Sequence, residues 1–162
     1  QGTPVLAKLD FKQIVNILGD DPVRPHLNGK FRCTSGREVY ALYEDQFAEQ
    51  APVDHKGPLA VICVAYTNEV PLTEHELDLY SQAASQDGEH GNIAVFYTVW
   101  SYTRGAGRQI VLDVASHIKR NTDVNRWITL SPLTEMAERF HIRNGATLLE
   151  RGTECQNFEY KV

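Results

Sequence analysis

Apolar positions along this chain fall into runs whose spacing alternates between helical and extended. Over residues 10–18, Phe11, Ile14, Val15 and Leu18 share one helical face. Residues 19–36 are rich in Pro, Gly and Asn and read as a loop. Two strand patterns follow, 38–43 and 59–66, joined by a polar connection that contains Pro52, Gly57 and Pro58. The second is apolar almost throughout, as expected of a strand covered on both faces. Residues 71–85 predict a helix with Thr73 as N-cap and Glu76 completing a capping box, and 86–91 a polar turn. The densest β-branched and aromatic run is IAVFYTVW, 93–100, the strongest strand of the chain. A glycine turn at 104–107 leads into a helix in which Val111, Val114, Ala115 and Ile118 recur at amphipathic spacing. Residues 126–130 form a short strand. Ser131-Pro132 reads as an N-cap and a first helical residue, opening a helix that runs to about Arg143. Asn144-Gly145 stops it, and 146–151 and 157–162 close the chain as strands. This order predicts one mixed α/β domain over 1–162.

Composition narrows the partners. The chain has 162 residues and a net charge of −5, which argues against a surface that tracks a nucleic-acid backbone. Its basic residues cluster locally, at Arg104 and Arg108 and at Lys119 and Arg120, which suits a small polyanion better than a polymer. Cys33, Cys63 and Cys155 are odd in number and widely spaced, so neither a disulfide framework nor a zinc site is expected. His75, His90 and His117 also lack metal-ligand spacing. Cys63, inside an apolar run, reads as a small core residue. A reducing, cytoplasmic setting is the expectation. No run approaches the ~20 apolar residues that span a bilayer, and no signal peptide is expected, although the chain opens at Gln1 without Met.

The turn Arg104-Gly105-Ala106-Gly107-Arg108 joins the best strand to the best helix. Glycines there let backbone N–H groups approach an anion, the helix N-terminus adds partial positive charge, and flanking arginines add charge-assisted donors. The same glycines also serve a bare strand–helix turn. The spacing matches neither a dinucleotide fingerprint nor a P-loop, since a third glycine and a Lys-Ser/Thr pair are both missing.

The turn does resemble the acyl-CoA loop of the GNAT superfamily, R/Q-x-x-G-x-G/A. From Arg104 that register puts Gly107 in the first glycine place and Gln109 in the second; from Tyr102 it puts Gly105 and Gly107 in both but has no Arg or Gln at its head. Further segments (Gly57 to Ile62, Val64 to Asn68, Ala94 to Val99, Thr129 to Pro132, Phe140-His141 and Asn144 to Ala146) resemble, in order, the catalytic domain of malonyl-CoA decarboxylase and the GNAT-like decarboxylases that load polyketide synthases. The likeness covers roughly residues 38–151. The chain is too short for the N-terminal helical domain of the long decarboxylases.

That resemblance implies a GNAT fold: α/β, a central mixed β-sheet splayed between two parallel strands, flanked by helices. Pantetheine would pair with the 93–100 strand at Tyr97 and Val99, and the pyrophosphate would sit on Arg104, Gly105, Ala106, Gly107, Arg108 and Gln109. Many GNAT acetyltransferases carry Tyr after the helical Phe, and here that residue is His141. The family pattern places His141 and Thr129 beside the reacting carboxyl group, with Ser131 as a nearby rival that also reads as the helix N-cap. Thr129 equally suits packing, and Tyr97 and Trp100 suit pocket wall. A malonyl-CoA or acetyl-CoA thioester would be the substrate, with no metal or organic cofactor. Three functions stay open: decarboxylation of a malonyl-type thioester, with or without transfer to an acyl carrier protein; N-acetylation of a small amine or protein; and non-catalytic acyl-CoA binding. The oligomeric state is not legible in the sequence.

Overall fold

A computed structural model describes residues 4–44, 57–86 and 90–162. Among these residues the frame is one sheet of eight strands. β1 (Val5–Leu9), β2 (Arg37–Tyr43), β3 (Ala60–Thr67) and β4 (Ile93–Ser101) run antiparallel in succession. β5 (Arg126–Thr129) then lies parallel to β4, from the Ile93↔Arg126 pair to Phe96↔Thr129. β8 (Cys155–Tyr160) pairs antiparallel with β5 and, further along, with the two-residue β6 (Ser131–Pro132). β7 (Thr147–Arg151) lies against β8 and is exposed throughout.

Helices cover both faces. The apolar stripe of α4 (Ala106–Asn121), with Ile110, Val114 and Ile118 fully buried, packs on Ile62, Val64, Ala94 and Phe96. The opposite face buries Val61, Cys63, Ala65 and Val95 under Ile14 of α1 (Phe11–Ile14), Phe31 of α2 (Gly29–Cys33) and Leu77 of α3 (Glu74–Ser85). β3 is buried at every position, which accounts for its unbroken apolar run. Cys63 lies within it, and burial pushes its thiol up to about 11, so it packs as an inert small residue.

Two irregularities open the sheet. Cys63 faces Thr98 while Val64 faces Phe96, so Tyr97 is the extra residue of a β-bulge. Beyond it, Tyr102 N donates to Leu59 O (2.8 Å), which fixes the alternation of the β3–β4 ladder. Thr98 and Trp100 turn their backbone groups toward β3, and Val99 and Ser101 turn theirs away. On the other side, Leu130 N donates to Phe96 O (2.9 Å), after which the chain leaves β4 for β8. The two parallel strands diverge from that vertex, as the expected splay requires.

Several expectations give way. Ser131 and Pro132 do not begin a helix: they pair with Gln156 and Cys155, and α5 (Glu135–Arg143) starts three residues later with Thr134 accepting from Ala137 N. The Ser-Pro signature competed with strand partners at Cys155 and Gln156, and the partners won. Helical structure at 10–18 shrinks to α1 and a 3-10 turn at Leu18–Asp20; Phe11 and Val15 are exposed and Ile14 alone of the predicted face is buried. Glu76 receives Leu72 N rather than Thr73 N, so the capping box is displaced by one residue. The loop at 19–36 contains α2, capped by Asn28. β1 has no sequence signal beyond a short mixed run. The connection through Pro52 and part of the 86–91 turn lie outside the described residues.

Candidate active site

The splay encloses a cavity of about 470 Å³. Residues 96–101 of β4 form one wall, and residues 130–132 with Thr134, Met136, Ala137, Phe140 and His141 the other; Gly107 closes one end, and Pro22 and Val23 reach in from the N-terminal segment. Among the described residues that line it, none is Asp, Glu, Lys or Arg. A charged ligand group inside it would meet dipoles rather than a counter-ion.

His141 faces this space from α5 and is 7% exposed. The amphipathic helix that carries it is set by Thr134 at one end and stopped at the other by Asn144 and by Gly145 at φ 102°. The ring stacks on Phe158 (centroids 5.5 Å apart) and meets Phe140 edge-on at 5.0 Å. Burial among these rings lowers its pKa to about 4, so the imidazole is neutral at pH 7. Nδ1 lies 2.7 Å from the Tyr160 hydroxyl, whose own pKa burial pushes up to about 12. Nε2 has no hydrogen-bond partner among the described residues and is not sealed from solvent. The second nitrogen is therefore the one that can meet a ligand.

Ser131 and Thr129 form a pair. Ser131 lines the cavity, and its Oγ lies 2.8 Å from Thr129 Oγ1. Thr129 is fully buried behind it and accepts from Phe158 N (3.0 Å). That bond occupies one acceptor position of Thr129 and leaves its hydroxyl hydrogen free to point at Ser131. The structure thus brings Ser131 and His141 onto the cavity surface and sets Thr129 one layer deeper.

The glycine turn lies at the wider end. Gly105 caps α4 at φ 84°, a conformation that L side chains rarely adopt, with no side-chain cap bond. Ala106 N is satisfied by Thr103 O and Gln109 N by Gly105 O, whereas Gly107 N and Arg108 N find no backbone acceptor among the described residues. A Cβ on Gly107 would stand 3.4 Å from Phe140 and narrow the mouth of the cavity. The flanking side chains divide: Arg108 donates to Asn144 Oδ1 (3.2 Å), Gln109 to Asp113 (2.8 Å), and Arg104 is exposed with no partner among the described residues. At the vertex, Tyr97 turns its ring into the opposite core, edge-on to Phe31, and its carbonyl accepts from Arg24. Val99 packs toward α4.

Sequence reasoning missed Tyr160, which holds His141, and the buried Asp21, Arg24 and Arg32 behind β4. A mixed run, CQNFEY, ending in Tyr gives no hint of a partner 19 residues earlier. The DPVR stretch reads as an ordinary polar loop, though two full charges flanking a Pro-Val pair were a signal of sorts.

This architecture is the GNAT fold. No protein-family model matches the sequence, and no curated protein matches it. Among solved structures the chain is similar to the loading GNATL domain of CurA from Lyngbya majuscula, with a TM-score of 0.69 at 9% identity over 99% of this chain and 98% of that one. It is similar to malonyl-CoA decarboxylase from Rhodopseudomonas palustris, with a TM-score of 0.65 at 16% identity over 98% of this chain. It is also similar to the PaiA N-acetyltransferase of Thermoplasma acidophilum, solved with coenzyme A, with a TM-score of 0.60 at 8% identity over 99% of both chains. The chain spans 60% of the R. palustris decarboxylase and 35% and 33% of those from Agrobacterium vitis and Cupriavidus metallidurans. Among the described residues no helix is long and apolar enough to cross a membrane.

Proposed function

We propose that the chain binds a coenzyme A thioester in the splay and decarboxylates a malonyl-type acyl group. The pyrophosphate rests on the free Gly107 and Arg108 amides with Arg104 beside them. Pantetheine amides pair with the Val99 and Ser101 backbone, which the ladder leaves unpaired. The thioester then lies against Ser131 and His141.

One observation carries the choice of reaction: the cavity lining is polar at Ser131 and His141 but uncharged. Amine acetylation needs a base matched to an ammonium group, and an imidazole held near 4 is a weak one with no carboxylate beside it. Decarboxylation asks for the reverse. A carboxylate that enters a site with no cation loses hydration without gaining an ion pair, which favours its departure as CO₂. The C–CO₂ bond breaks and its electron pair passes into the thioester carbonyl, giving an enolate. Ser131 O–H and His141 Nε2–H donate to that oxygen. Tyr160 donates to Nδ1 and so fixes the tautomer that leaves the proton on Nε2. A neutral imidazole is a hydrogen-bond donor here and not the proton source; water supplies the proton to carbon, so one proton is consumed per CO₂ released.

Incubation with malonyl-CoA and methylmalonyl-CoA, read by mass spectrometry, is expected to yield acetyl-CoA and propionyl-CoA. If malonyl-CoA were recovered intact while acetyl-CoA modified members of a mixed amine pool, the acetyltransferase reading would replace this one.

A further inference from the structure

The vertex of the cleft is closed by a segment with no regular secondary structure that is nonetheless held from both sides. Pro22 and Val23 line the cavity, and the residues that bracket them, Asp21 and Arg24, are each 2% exposed. Asp21 Oδ1 accepts from Val23 N (2.8 Å), Arg24 N (2.9 Å) and the Thr98 hydroxyl (2.8 Å), so one carboxylate oxygen both shapes the turn and ties it to β4. Its Oδ2 lies 2.8 Å from Arg32 Nη1, an ion pair not aligned as a hydrogen bond. Arg24 donates to the carbonyl of Tyr97, the bulge residue, to Glu74 Oε2 (2.8 Å) and, at 3.6 Å, to Cys155 Sγ. The two attachment points on β4 are thus consecutive residues, Tyr97 and Thr98, at the place where the strands part.

Buried charge of this kind is a costly way to gain stability, because desolvation offsets most of the Coulomb attraction and apolar replacements are often as stable. Its structural result here is a wall fixed in position before any ligand arrives. Glycine and helix N-terminus lie at the opposite end of the cleft, past Ser101, so the wall stands at the acyl end, across from Leu130 and Ser131.

We infer that the Asp21-Pro22-Val23-Arg24 turn is the acyl-length gauge of this site, with Val23 as the contact that limits the acyl group and Arg24 as the positioning residue that holds the gauge against the β4 bulge. This rests on the acyl-CoA reading above. A rigid apolar wall discriminates by about tenfold or more per methylene, because the extra carbon has nowhere to go.

Calorimetric titration of the full chain with free CoA and with acetyl-, propionyl-, butyryl- and hexanoyl-CoA tests it, the readout being each acyl-CoA affinity divided by that of free CoA. The parent is expected to favour the short thioesters, with the ratio falling by about tenfold or more at a defined length. Val23→Ala moves that fall to a longer chain and Val23→Phe to a shorter one. Arg24→Met flattens the ladder, and Arg24→Lys, which keeps one donor for the Tyr97 carbonyl, restores part of it. A general loss of structure in Arg24→Met would lower all affinities together, which the two Val23 variants control for. Ladders superimposable on the parent's in both Val23 variants would overturn the gauge while leaving acyl-CoA binding intact. Absence of heat with every CoA species, free CoA included, would instead overturn the acyl-CoA reading itself and the gauge with it.

Discussion

The polar groups on the two sides of β4 behave in opposite ways. Behind it, Asp21, Arg24 and Arg32 are full charges, at most 2% exposed, linked to one another and to backbone on all sides. In front, Ser131 and His141 are neutral, and one nitrogen of the imidazole has no partner among the described residues. Behind β4 charge fixes shape, and in front of it the polar groups that line the cavity are uncharged. The contrast has a physical basis. A buried ion must be surrounded to be tolerated at all, so it is unavailable to a substrate; a neutral hydroxyl or imidazole can wait half-satisfied at modest cost. On the decarboxylase reading proposed above, neutral donors would also keep a developing enolate as the strongest charge in the cavity.

Removing one member of the rear cluster should have the largest effect. Asp21→Ala leaves Arg32 buried without its counter-ion and frees Val23 N, Arg24 N and the Thr98 hydroxyl from their shared acceptor. A loss of about 3–5 kcal/mol in stability is expected, read by urea unfolding. A loss below about 1 kcal/mol would mean the cluster is far wetter than its geometry. On the front side, His141→Gln keeps an amide donor but misplaces it, and kcat with malonyl-CoA is expected to fall by about 10²–10³-fold with little change in KM. A rise in KM with kcat unchanged would mark His141 as a binding residue instead.

Acidity distinguishes the two sides next. The folded-state pKa of His141, about 4, lies below the ordinary value of 6.5 given for its unfolded reference. Between those values the unfolded chain binds more protons than the folded one, so stability is fully present above pH 6.5 and is lost as pH falls toward 4. The loss attributable to His141 is about 3 kcal/mol across that window. Subtracting the unfolding curves of His141→Gln from those of the parent isolates it. The same titration predicts a rate profile flat through pH 6.5, with no acidic limb until well below pH 5; an inflection near 6.5 would place the imidazole in water.

The sequence made the strand–turn–helix at 93–121 easy to find, because apolar period, glycine turn and helical stripe agree there. His141 and the splay were legible only through resemblance. Nothing in the spacing of 93–100 and 126–130 says that two parallel strands part after four residue pairs, since the cause is a bulge at Tyr97 and the capture of Ser131-Pro132 by β8, both set by distant partners. The same limit hid the charged cluster behind β4. Arg24 reaches a carbonyl 73 residues away and Asp21 a hydroxyl 77 residues away, and no local pattern encodes either. Propensity correctly placed the elements and failed at the contacts that make a site of them.

The smallest expected effect sharpens the comparison most, because it touches a neutral contact alone. Tyr160→Phe removes the hydroxyl 2.7 Å from His141 Nδ1 and keeps the ring that packs at 6.5 Å from Phe96. No charge is stranded, so stability should change by about 1 kcal/mol or less. The imidazole then chooses its tautomer freely, and the fraction with hydrogen on Nε2 falls. A drop in kcat of about three- to tenfold follows, equivalent to one neutral hydrogen bond. The ¹⁵N shifts of the His141 ring supply a second readout: the parent should show a protonated Nε2, and the variant a mixture. A rate loss without any tautomer change would assign the Tyr160 hydroxyl a direct contact with the acyl group, and a tautomer change without rate loss would remove Nε2–H from oxyanion stabilisation. Arg24→Met offers no such separation, since it deletes a charge together with the donors to Tyr97 and Glu74. A neutral pair can be taken apart one proton at a time, and that is what makes the front of β4 the side where chemistry can be assigned to atoms.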